Sequence, residues 1–135
     1  MQSFKKIHTR ALERKGGPKG LADWLPAPKT KAQLVRIPDH RWLAEMARCV
    51  FQAGFVWRVI EQKWPGVEKA FFGFKPEKLV LLSPEQWEAI GRDTRVVRNM
   101  QKIMSVARNA QFVLEMAEEH GSFAKLVANW PEQDL

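Results

Sequence analysis

The sequence predicts an all-α protein, a compact bundle of short helices around two longer ones. Three observations carry this prediction. Apolar residues recur at three- and four-residue spacing in several segments, no segment alternates with the two-residue period of a strand, and Ser, Thr, Asn, Gly and Pro punctuate the periodic segments at helix-boundary positions. The organising stretch is 39–64, DHRWLAEMARCVFQAGFVWRVIEQKW. Trp42, Leu43, Met46, Cys49, Val50 and Ala53 mark the buried face of its first helix, with Asp39 as N-cap. Phe55, Val56, Val59, Ile60 and Trp64 mark its second, and Gly54 supplies the conformational freedom of the turn between them. In this reading Cys49 is a small core residue. Gln52, set among Phe51, Ala53, Gly54 and Phe55, reaches outward while the aromatics anchor inward.

The other elements follow in chain order. Ser3 is placed to cap a helix to about Arg14 with Phe4, Ile7, Ala11 and Leu12 on its apolar side, ended by Gly16-Gly17-Pro18. Leu21 to Leu25 forms a helical turn, Pro26-Ala27-Pro28 an extended connection, and Thr30 caps a short helix from Lys31 to Arg36. After the hairpin, Trp64-Pro65-Gly66 reads as a break with a new helix starting at Pro65. Phe72-Gly73-Phe74 turns the chain, and Pro76 to Leu82 is helical. Ser83-Pro84-Glu85-Gln86 is a capping box ahead of Trp87 and Ile90, with Gly91 as the stop. The longest helix runs from about Asn99, its N-cap, to Glu119, with Gly121 as C-cap, and Phe123 to Trp130 closes the chain.

Length and charge bound the function. At 135 residues the chain is expected to hold one core, and 45% hydrophobic with 27% charged residues is the composition of a globular domain. No apolar run approaches a membrane span, no signal-peptide core is visible, and the single cysteine suits a reducing compartment; the expected location is the cytoplasm, without membrane association. The charge is lopsided. Residues 1–36 hold nine Lys/Arg against two acidic residues, whereas 37–135 are balanced at thirteen each. The expected organisation is therefore a basic N-terminal helical arm, 1–36, on a neutral helical domain, 37–135, and such an arm suits a polyanion or serves as a solvated tail.

Catalytic chemistry is sparse. His8, His40 and His120 are scattered and lack cysteine partners, so no metal is expected, and no cofactor motif is present. Glu45 and Glu61 are the carboxylates nearest the hairpin, both in positions of a solvated face. Trp57, three residues past Gly54, is placed either as a core anchor or to line a cleft and stack on a flat base.

The stretch from Trp42 to Leu114 resembles the DNA-3-methyladenine glycosylase I family, of the helix-hairpin-helix DNA glycosylase superfamily. The resemblance rests on Phe51-Gln52-Ala53-Gly54-Phe55-x-Trp57, on Phe71-x-x-Phe74-x-Pro76 and on Val97-Arg98-Asn99-x-x-Lys102-Ile103, in the family's order. The basic arm beginning Phe4-x-x-Ile7 is similar to one branch of the family. The resemblance implies an enzyme of base-excision repair that hydrolyses the N-glycosidic bond of alkylated adenine in damaged double-stranded DNA. Carried over position by position, Gln52 and Gly54 fall in the loop pushed into the space a flipped base vacates, and Trp57 falls on the pocket ring that stacks on the base. Lys5, Lys6, Arg10, Arg14 and Lys15 are expected on the DNA backbone, joined by Lys102, which would point along the exposed face of its helix.

Two departures stand out. The pocket glutamate of the family's best-known branch falls on Cys49, which offers no carboxylate to a base, and that branch's zinc ligands have no counterpart. The chain also resembles only the N-terminal part of the family. Two other readings are therefore carried alongside the enzyme: a non-catalytic DNA-binding remnant, and a helical interaction module that self-associates through an exposed apolar face.

Overall fold

The computed structural model describes residues 2–134, which are helical apart from short connections and contain no strand. The chain divides into two units, one ending at Thr30 and one beginning at Lys31.

The first unit pairs α1 (Phe4–Lys15) with α2 (Gly17–Trp24). Gly16 ends α1 in the left-handed region at φ 83°, its N–H donating to the Leu12 carbonyl, and Pro18 starts α2 where a missing N–H costs nothing. Ser3 has the extended backbone of an N-cap, but its hydroxyl accepts no capping bond. Neither helix buries a residue. Phe4 and Ile7, expected on a covered side, are 78% and 52% exposed.

The second unit contains α3 (Lys31–Leu34), α4 (Asp39–Gln52), α5 (Trp57–Ala70), α6 (Pro76–Leu79), α7 (Pro84–Arg92), α8 (Met100–His120) and α9 (Phe123–Ala128). The helix α8 packs against α4, α6, α7 and α9, and α3, expected in the arm, packs on α9. Their shared core takes Leu43, Ala44, Ala47 and Phe51 from α4, Ile60, Trp64 and Val67 from α5, and Ile103, Val106, Ala110 and Val113 from α8. Local signals fare well here. Ser83 and Gln86 form the reciprocal capping box, Asn99 Oδ1 accepts from the Lys102 N–H at 3.2 Å, and Gly121 ends α8 at φ 89°.

Four expectations are corrected. First, α4 is rotated relative to the face read from residue size. Its buried stripe is Leu43, Ala44, Ala47 and Phe51, because small alanines let α8 approach closely, and Cys49 falls on the opposite side, exposed. Second, Asp39 does not cap α4, which follows Pro38. Its carboxylate instead accepts from the Phe123 N–H at 3.0 Å and so serves the first turn of α9 beside Ser122. Third, Pro65 does not begin a helix; it lies inside α5, where buried Trp64 and Val67 on either side hold the helix through the missing hydrogen bond. Fourth, Gly91 does not stop α7. It is buried within it, and a Cβ there would stand 2.5 Å from the Met100 sulfur, so it serves close packing.

The link between α5 and α6 is an aromatic knot. Phe72, Gly73 and Phe74 all take left-handed backbone, at φ 56°, 70° and 56°, a conformation that costs a residue with a Cβ roughly 1–2 kcal/mol. Aromatic packing offsets it. Phe74 is fully buried, stacked on Trp64 with centroids 5.5 Å apart and on Phe71 at 5.0 Å.

Candidate nucleic-acid interface

The helices α4 and α5 meet at a short turn, 53–56, closed by the Phe55 N–H donating to the Gln52 carbonyl at 3.1 Å. Gly54 takes φ 69° with open space where a Cβ would sit, so its glycine is required by backbone conformation and not by crowding. Beyond it the chain presents Phe55, Val56 and Trp57 to solvent at 43%, 64% and 66% exposure. The side chain of Trp57, the first residue of α5, makes no ring contact or hydrogen bond with the described residues. Three consecutive large apolar side chains thus stand outside the core cluster.

The tip is held from below by two polar devices. Gln52 is not turned outward as expected. It is buried at 7% exposure, and its Nε2 donates to Glu61 Oε1 at 2.8 Å. The other Glu61 oxygen lies 3.6 Å from Arg48, which also pairs with Glu45 at 2.7 Å. A covered amide needs partners, and the antiparallel return of α5 brings Glu61 to it. Among the described residues no buried side-chain polar atom lacks a partner.

Lys102 is the second device, and its expected direction is also corrected. Its ammonium does not run along the exposed face of α8; it donates to the carbonyls of Phe51, at 3.3 Å, and Ala53. These carbonyls lie at the C-terminal end of α4, where a cation is favoured by the helix dipole and by unpaired acceptors. The long helix thus clamps the base of the tip.

The remaining expected residues divide by place. Cys49 is exposed on α4, one turn before Gln52. Arg98 is exposed beside the Asn99 cap and lines a depression of about 640 Å³ with Glu88, Gly91, Arg92 and Met100, which contains no tip residue. In the other unit Lys5, Lys6, Arg10 and Arg14 are exposed, while the Lys15 ammonium sits 4.1 Å from the centroid of the Trp24 ring. Among the described residues no three His, Cys, Asp or Glu side chains gather as a metal site, and no helix is long and apolar enough to cross a membrane. Sequence reasoning missed Arg48, Glu61 and the clamp by Lys102 as supports of the tip. The available signal for the first two was a lone amide among aromatics with a carboxylate nine residues further on across the turn.

The fold is that of the all-α DNA glycosylases. It is similar to that of 3-methyladenine DNA glycosylase I from Staphylococcus aureus, studied for its recognition of 3-methyladenine, at TM-score 0.63 and 24% identity over 67% of this chain and 48% of that one. A variant of 3-methyladenine DNA glycosylase I in complex with 3-methyladenine matches at TM-score 0.59 and 24% identity, over 87% of this chain and 61% of the other. The chain thus spans 48% to 61% of the length of these enzymes. No curated protein matches. The family model for methyladenine glycosylase matches residues 36–134, and the chain belongs to that family.

Proposed function

We propose that this chain carries the base-extruding tip of a DNA N-glycosylase that releases alkylated adenine from double-stranded DNA. The observation that supports this reading most directly is the exposed run Phe55-Val56-Trp57, held on a braced turn in a family whose substrate is a base hidden inside a duplex. An apolar wedge that enters a base stack must be exposed beforehand and must not yield when pushed, and the Gln52–Glu61 bond with the Lys102 clamp supplies the stiffness. Phe55 and Val56, beside Gly54, occupy the wedge position in place of the buried Gln52. Trp57 offers the ring for stacking.

The chemistry follows from the substrate. Methylation at N3 leaves the purine cationic, so water adding to C1′ breaks the C1′–N9 bond with the electron pair passing to N9. The base departs neutral and the proton goes to solvent. Such a leaving group needs little acid catalysis, and a cation facing an indole ring is held by the ring's quadrupole. The absence of a carboxylate at Cys49 is compatible with this route. Release of 3-methyladenine from methylated duplex should fall about 10- to 100-fold in Trp57→Ala, the equivalent of roughly 1–3 kcal/mol of stacking. Full release by a folded Trp57→Ala protein would remove the tip from the mechanism. Duplex binding without release by the 135-residue chain would favour the binding-module reading.

A further inference from the structure

The unit ending at Thr30 lies outside the family match, which begins at residue 36. It contains seven Lys/Arg against two acidic residues, while the remaining chain has fifteen against thirteen. Among the described residues none of its cations pairs with a carboxylate; the ion pairs all lie in the second unit. Its charge is therefore unneutralised. On α1 the spacing of Lys6, Arg10 and Arg14 at successive four-residue steps sets three cationic side chains in one row, the Cβ atoms of neighbours about 5–6 Å apart, with Lys5 beside them. A depression of about 360 Å³ runs along this side, lined by Lys5, Lys6, Thr9, Arg10 and Glu13.

Folding does not account for the row. Like charges four residues apart weaken a helix by about 0.2–0.5 kcal/mol per pair, α1 has no acidic residue in its first turn, and it buries nothing that would compensate. A ladder of exposed cations that opposes its own helix is relieved by a polyanion. Two polyanionic surfaces compete, a duplex and an anionic bilayer, and the apolar pattern decides between them. A helix lying in a bilayer needs a continuous apolar face. Here Phe4 and Ile7 are confined to the first turn, Ala11 and Leu12 are half-buried, and Lys15 is drawn onto Trp24.

We propose that the α1–α2 unit is a separate tether for duplex DNA, with Lys6, Arg10 and Arg14, assisted by Lys5, lying along a phosphate strand whatever its sequence or damage. Lys15 is excluded from this set by its place over the indole. The tether shares with the glycosylase reading only the choice of duplex as partner; it needs neither Trp57 nor a damaged base. Its use is search, since sequence-independent phosphate contacts let a protein slide along intact DNA.

The test is fluorescence anisotropy of the full chain with an undamaged labelled duplex, titrated at several salt concentrations. Replacing all three residues, Lys6→Gln, Arg10→Gln and Arg14→Gln, should weaken binding at least about tenfold near 0.1 M salt and flatten the slope of log K against log salt by about 2.7, at 0.9 per phosphate lost. Lys15→Gln should change the slope by less than any one of the three single substitutions. Binding of undamaged duplex requires no base release, so failure of the base pocket and failure of the tether are read separately. An unchanged slope in the triple variant, with helix content retained by circular dichroism, overturns the proposal. So does tighter binding to phosphatidylserine vesicles than to duplex at equal salt.

Discussion

Two aromatic turns of this chain, Phe51 to Trp57 and Phe71 to Pro76, look alike as strings of letters and behave in opposite ways. In the second, the aromatics Phe71 and Phe74 point inward, stacked on each other and on Trp64, and the backbone bends through three left-handed residues to put them there. In the first, only Gly54 is left-handed, and the aromatics beyond it face solvent while the polar Gln52 turns in. One turn spends backbone strain on burial, and the other uses buried polar bonds to support exposure. The contrast separates residues that serve the fold from residues that the fold leaves exposed.

The sharpest way to break this comparison is to truncate one ring from each turn. Phe74→Ala should cost roughly 3–5 kcal/mol in denaturant unfolding, because a fully buried ring leaves a cavity and abandons two stacked neighbours. Trp57→Ala should change stability by no more than about 0.5 kcal/mol, its loss appearing only in base release. Comparable destabilisation by the two substitutions would show that the tip is part of the core after all.

Next in size is the clamp. Lys102→Met keeps the length of the stem but removes the ammonium from the Phe51 and Ala53 carbonyls, and should cost about 1–2 kcal/mol by thermal melting, toward the lower end of the range for charged hydrogen bonds because the site is half-exposed. If the tip depends on this clamp, release should fall in Lys102→Met even at temperatures where the protein stays folded. Asn99→Ala removes the cap of α8 and should cost about 1 kcal/mol without altering release beyond that loss of stability. An unchanged melting temperature would dismiss the cap.

The smallest effect concerns acid. Hydrogen bonds from the Arg95 side chain and N–H hold the Asp93 carboxyl below its ordinary value. A depressed folded-state value means the carboxylate's contribution is fully present above the unfolded value near 3.8 and is lost as pH falls through the folded one. Asp93→Asn should therefore lower stability slightly at neutral pH and converge with the wild type in acid. A difference that grows below pH 3.8 would contradict the assignment.

What was legible beforehand follows the same division between local and distant. The caps at Ser83, Asn99 and Gly121 are decided by a few adjacent residues, so the sequence carries them openly. Asp39 and Lys102 also bond helix ends, but the ends lie 84 and about 50 residues away, and nothing local marks a side chain that serves a remote helix. Cys49 was misplaced for a related reason. Size-weighted periodicity favours large residues, whereas the α4 surface against α8 is partly alanine. Pro65 misled because a proline is locally a break, and only the packing of Trp64 and Val67 shows that α5 runs through it.

That proline also bears on the stability of α5 along its length. With no N–H at position 65, the Glu61 carbonyl loses its helical partner, and buried Ile60 and Trp64 before the gap and Val67 after it hold α5 across it. In native-state hydrogen exchange, the amides of Glu61 and Gln62, which bond the exposed first turn of α5, should exchange through a local opening of lower free energy than those between Val67 and Ala70.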